Sequence, residues 1–171
     1  MEELARIARN VLVHYPVACR WLEFIGHNAS AVYQLTDCAG KRFSLRVHKP
    51  RSKTLESSWT TREALLSEMM WMRALSRETD ITLPVPVPNH RGELVTVEDG
   101  VACTLLTWVD GDARKRFSTV EDVCAVGELI GKLHRHAANW TVPEGFERPA
   151  LDGDRVMTAL VNLEAAARTG R

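Results

Sequence analysis

Residues 42–48, RFSLRVH, alternate apolar Phe43, Leu45 and Val47 with polar Arg42, Ser44, Arg46 and His48. That period of two predicts a strand with one buried face. Similar signals predict strands over 20–26 (RWLEFIG) and 31–37 (AVYQLTD). The Asp37-Cys38-Ala39-Gly40 stretch between the second and third suits a tight hairpin, because Gly40 accepts a positive φ. Ahead of them, Leu4, Ile7, Ala8, Val11, Leu12 and Tyr15 form one helical stripe over residues 2–15 that ends before Pro16.

After a polar loop at 49–58, Leu65, Met69, Met72 and Leu75 recur at helical spacing and predict a helix over 60–76. The prolines of LPVPVP (83–88) exclude a central strand, since each removes a backbone donor. Two further strands, 93–97 and 101–107, meet at Glu98-Asp99-Gly100. Beyond the polar break DGDARKRF, Ser118 or Thr119 caps a helix running to about Ala138, with Glu121 and Asp122 in its favourable first turn. An amphipathic segment at 153–168 follows. The order is helix, five strands with a helix inserted after the third, linker, helices. That is an α+β fold with a five-stranded antiparallel sheet.

Composition narrows the classes. The 171 residues are 45% hydrophobic and 26% charged, enough for one domain or for one and part of another, and not a disordered mixture. Lys+Arg and Asp+Glu both number 22, so there is no basic excess to support a nucleic-acid surface. The basic runs KPRSK (49–53) and DARKRF (112–117) are short and read as solvated loops. No apolar run reaches membrane-span length, and the acidic, amphipathic start MEELARIARN lacks the pattern of a signal peptide. Cys19, Cys38, Cys103 and Cys124 are scattered without a CxxC pair, and are expected to be reduced, buried thiols of a cytoplasmic protein.

Arg46, central in its strand, has two readings. It lies on a solvated face with its stem over apolar neighbours, or it faces a cleft and binds phosphate. Gly26, Asn28, Ala29 and Ser30 form a small-residue loop whose N–H groups can converge on an anion, and the helix 60–76 offers Glu63 or Glu68 as a partner for Arg46.

In order, GHNASAVYQL, KRFSLRVH, SEMMWMRAL, LPVPVPV, TWVDG and VGELIGKLHRH resemble the aminoglycoside phosphotransferase and choline kinase-like family, over nearly all of residues 20–146. The resemblance implies a protein-kinase-like small lobe over 1–107, a hinge at 108–118 and the start of a helical large lobe at 119–171. It also implies nucleotide-binding roles. Arg46 faces the nucleotide's phosphates, Glu68 holds Arg46, Asn28, Ala29 and Ser30 lie over the phosphates, and Thr107 and Val109 present backbone groups to adenine. ATP is the implied cofactor, with Mg²⁺ in the complete protein, and the phosphoryl acceptor is a small-molecule hydroxyl.

No catalytic or metal-ligating residue is assigned. In the resembled family the catalytic and metal-binding residues come from a His-Gly-Asp-rich loop ending in Asn and from a later Asp, for which this sequence shows no match. Asp152 and Asp154 read as a helix cap, since Ala159 stands where the Asn would follow. His134 reads as packed and His136 as exposed. The chain alone is therefore expected not to catalyse, and to pair through apolar stripes in 119–168 by dimerisation or domain swapping. The other open reading is a non-catalytic scaffold that reuses the small-lobe fold.

Overall fold

A computed structural model describes residues 2–49, 59–111 and 119–149, with Gly153 and Met157. The expected loop at 49–58 apart from Lys49, most of the linker, Asp152, Asp154 and most of the segment 153–168 therefore lie outside the described residues. So do most of KPRSK and all of DARKRF.

Helix α1 spans Glu2–Val11 and runs into a 3₁₀ turn at Leu12–His14. Strands β1 (Cys19–His27), β2 (Ala31–Asp37) and β3 (Arg42–Val47) follow, then helix α2 (Arg62–Glu78). Next come β4 (Pro86–Val87), β5 (Thr96–Glu98), β6 (Val101–Thr107) and helix α3 (Val120–Asn139). Every strand pairing is antiparallel, in the order β1-β2-β3-β6-β4, with β5 also on β6. The chain is α+β, as its pattern predicts. The sheet has six strands rather than the expected five, because two residues of the proline-rich stretch pair at its edge. An edge position leaves the missing proline N–H facing away from the ladder.

Two of the hairpin turns follow from their residues. Asp37 Oδ1 accepts from the N–H groups of Ala39 and Lys41 while Gly40 takes φ 81°. At the second turn Asp99 and Gly100 take φ 51° and 75°, positive at both central positions as a type I′ hairpin requires.

The sheet separates two cores. Leu4, Ile7, Ala8 and Val11 of α1 pack on Ala31, Tyr33, Leu35, Phe43, Leu45, Val47, Cys103 and Leu105. The opposite face packs Leu65 and Met69 of α2 on Ala102 and Leu106, with Leu94 and Val95. Each fully buried aliphatic side chain contributes about 1.5–3 kcal/mol, so α1 is a structural part of the sheet domain. Thr61 caps α2 by accepting from the Ala64 N–H, and Thr119 caps α3 by accepting from the Asp122 N–H.

Two expectations are corrected. Of the four free cysteines only Cys103 is buried; it faces the α1 core from β6. Cys19 begins an edge strand, Cys38 sits in a turn and Cys124 lies on α3, and all three are exposed. The histidines exchange roles, with His134 exposed and His136 partly buried against α2. None of the described helices is long and apolar enough to cross a membrane.

Candidate functional site

Arg46 lies midway along β3, opposite Val32 of β2 and Thr104 of β6. Its neighbours Leu45 and Val47 are fully buried toward α1, so alternation turns Arg46 to the other face, where α2 packs. Glu68 of α2 reaches it there. Arg46 Nη1 lies 3.6 Å from Glu68 Oε1, and both side chains are about one-third exposed, at 31% and 29%. The structure thus places the Arg46 guanidinium beside Glu68 at the wall of a cleft.

That cleft has a volume of about 260 Å³ and is lined by Ala29, Ser30, Arg46, His48, Trp59, Thr60, Leu65 and Glu68. Four of the seven residues expected at a nucleotide site, Ala29, Ser30, Arg46 and Glu68, thus meet in one place. Asn28 is exposed at the edge of the same turn, which it closes by donating its N–H to Ser30 O at 3.2 Å.

Thr107 and Val109 do not line this cleft. They lie further along the chain from Thr104, the residue opposite Arg46, by three and five residues. At strand spacing Thr107 stands roughly 10 Å from that point. Thr107 N–H donates to Val85 O at 2.8 Å, and Thr107 Oγ1 accepts from Val85 N–H at 2.9 Å. Trp108 N–H donates to Arg42 O at 3.1 Å, the Arg42 guanidinium lies 5.9 Å from the Trp108 ring centre, and Arg42 pairs with Asp110. The exit from β6 is therefore clamped on both sides before the linker begins.

The structure adds three residues that the sequence reading did not assign to the site. His48 Nε2 meets Thr104 Oγ1 at 2.9 Å. Burial, helped by the neighbouring charge of Arg46, pushes the His48 pKa down to about 4, so the cleft holds a neutral imidazole near pH 7. The alternation of 42–48 already set His48 in phase with Arg46, a usable signal. Trp59 lines the cleft and stacks beneath Arg148, with the guanidinium carbon 4.8 Å from the ring centre. Arg148 Nη1 donates to Glu68 Oε2 at 3.2 Å. No local pattern could have linked Arg148 to α2.

The residues before Arg148 explain how it gets there. His136 Nδ1 accepts from Trp71 Nε1–H at 3.2 Å, so its Nε2 carries the proton and donates to Glu78 Oε2 at 3.0 Å. Trp140 lies 6.0 Å from the His136 ring, and Phe146 meets Trp140 edge-on at 5.2 Å. This chain of rings ties α3 and the loop after it to α2. Among the described residues, no group of three or more His, Cys, Asp or Glu is placed to hold a metal ion.

A β3 cation held by a helix glutamate, beneath a small-residue turn, is the arrangement of the small lobe of a kinase-like phosphotransferase. Residues 21–170 match the phosphotransferase enzyme family (APH), and the chain belongs to it. Among solved structures it is similar to a microcompartment-associated aminopropanol kinase, with TM-score 0.70, 28% identity, and coverage of 86% of this chain and 45% of that one. It is also similar to an amicoumacin kinase in complex with AMP-PNP, Ca²⁺ and Ami, with TM-score 0.67, 18% identity, and coverage of 98% and 53%. A third is a spectinomycin phosphotransferase in complex with ADP and spectinomycin, with TM-score 0.56, 12% identity, and coverage of 86% and 42%. The chain spans about half the length of these proteins. No curated protein matches it in sequence.

Proposed function

We propose that this chain is the nucleotide-binding portion of an ATP-dependent small-molecule phosphotransferase. One observation carries the reading: Arg46, poised by Glu68, faces a cleft under the Ala29–Ser30 turn, where a polyphosphate would meet a guanidinium and backbone N–H groups together. Thr107 and Val109, roughly 10 Å along β6 and its exit, are the groups on which adenine would rest, with the phosphates running back toward Arg46. Residues 1–107 form the small lobe in this reading, 108–118 the hinge, and 119–171 the beginning of the large lobe.

The names of the similar structures support a γ-phosphoryl donor and a hydroxyl acceptor on a small molecule. An amino alcohol or an aminoglycoside-like antibiotic is the favoured class of acceptor. The base that takes the acceptor's proton and the carboxylates that hold Mg²⁺ belong, in this proposal, to the other half of the phosphotransferase fold. The 171 residues alone then bind nucleotide without transferring phosphate. Exposed Val120, Val123, Leu129 and Ile130 on α3 support the companion proposal that the isolated chain pairs through that helix.

The test is a calorimetric titration with ATP and Mg²⁺ of the parent chain and of Arg46→Ala. Saturable binding weakened by about tenfold or more in the variant is expected, the weight of one lost charge-assisted contact. A folded parent that binds no ATP would refute the proposal and favour the scaffold reading.

A further inference from the structure

Helix α2 lines a second cavity. At about 100° per residue, Met70, Arg73, Ala74 and Arg77 lie across the helix from Glu68. With Leu94, Trp140, Pro143 and Glu78 they line a groove of about 290 Å³, which shares no residue with the cleft of Arg46.

The polar groups of this groove are unevenly matched. Glu78 is already engaged, because its Oε2 accepts from His136 Nε2–H at 3.0 Å. Among the described residues, neither the Arg73 nor the Arg77 guanidinium has a hydrogen-bond or ion-pair partner, and the Trp140 indole N–H has no acceptor. Trp71, by contrast, donates its indole N–H to His136 Nδ1. Two arginines against one glutamate leave the groove with one net positive charge.

Like charges four residues apart on one helix destabilise it. An anion between Arg73 and Arg77 would relieve that repulsion, meet planar forks suited to a carboxylate, and find a third donor in the indole. The walls choose the rest of the ligand. Met70, Ala74, Leu94 and Pro143 are apolar, and Leu94 is buried. Inorganic phosphate would leave these walls unused, whereas an apolar body would bury against them and the Trp140 ring.

We propose that this groove is a binding site for a small carboxylate with an apolar body, its anionic end held by Arg73, Arg77 and Trp140 Nε1–H. The inference goes beyond the nucleotide reading and does not rest on it. Trp140 also packs on His136 and Phe146, so an occupied groove would tie the loop after α3 more firmly to α2.

The experiment titrates 3-phenylpropionate into the full ¹⁵N-labelled chain at constant ionic strength and follows the indole N–H signals of its five tryptophans. Trp140→Phe assigns the Trp140 signal. That signal should shift saturably, and the double variant Arg73→Gln/Arg77→Gln should weaken the affinity by about tenfold or more. Unmoved signals from the other four tryptophans in the ligand-free variant confirm that it is folded. The amine 3-phenylpropylamine, with the same body and the opposite charge, should give no saturable shift. Three outcomes would overturn the inference: no shift in the folded parent, equal affinity in the folded double variant, or equal affinity for the amine. Inorganic phosphate binding as tightly as 3-phenylpropionate would overturn the assigned ligand class.

Discussion

Lowering the pH should unload one identifiable part of this protein's stability, and His48 is that part. Its pKa falls from the ordinary 6.5 to about 4, chiefly through burial and secondarily through the charge of Arg46. As the pH drops below 6.5 the unfolded chain takes up a proton at His48 while the folded chain does not. Stability is therefore complete above the unfolded value and is lost progressively down to about pH 4, where the folded form begins to protonate. At roughly 1.4 kcal/mol per pH unit, that span amounts to at most about 3 kcal/mol. The perturbation is His48→Gln, which keeps a polar partner for Thr104 Oγ1 but cannot titrate. Urea unfolding followed by tryptophan fluorescence, from about pH 7 to about pH 4.5, supplies the free energies. Glu3 and Asp80, whose pKa values are lowered by Lys49 and Lys132, also withdraw stability in acid. They do so at lower pH and equally in both proteins, so they cancel in the difference. The parent should lose stability relative to the variant by about 2–3 kcal/mol across the window. Parallel pH profiles would refute the argument, since they would mean that His48 titrates alike in the folded and unfolded chain.

Two further outcomes test the packing. Ile7→Ala, at a fully buried position between α1 and the sheet, should cost about 3 kcal/mol in the same unfolding assay. A loss below about 1 kcal/mol would mean that α1 is not part of the core. Thr61→Ala removes the acceptor that caps α2 and should cost about 1 kcal/mol, whereas Thr61→Ser should be nearly silent, and thermal melts of the pair decide it.

The strands that build the site were legible because one face of each is buried. The phase of 42–48 alone put Arg46 opposite Leu45 and Val47; the helical stripe of 60–76 offered Glu63 or Glu68 as its partner, and only the family resemblance favoured Glu68. What sequence reasoning missed has physical reasons. The strand expected at 93–97 begins at Thr96, because Asn89 draws the preceding residues into a turn. Its Oδ1 accepts from Arg91 and Glu93 N–H groups, and its Nδ2 donates to Glu93 and Thr96. β4 escaped because prolines forbid an interior strand but not a two-residue edge pairing. The histidines were exchanged because a helical stripe does not say which side meets α2; Trp71 decides that. Arg148 lies 80 residues from Glu68, so only the folded chain brings them together.

The two edges of the sheet limit how this protein aggregates. On one side stand β4, a two-residue pairing set among prolines, and the three-residue β5. On the other, β1 has register irregularities at Cys19/Trp21 and at Phe24/Gly26. Short, proline-bearing and bulged edges are poor templates for adding a foreign strand. These edges disfavour ribbon-like growth through the backbone of the described residues. Among the described residues, self-association is then favoured through side chains, such as the exposed apolar ones of α3, and can be weakened by a single charge placed on that surface and reversed by dilution.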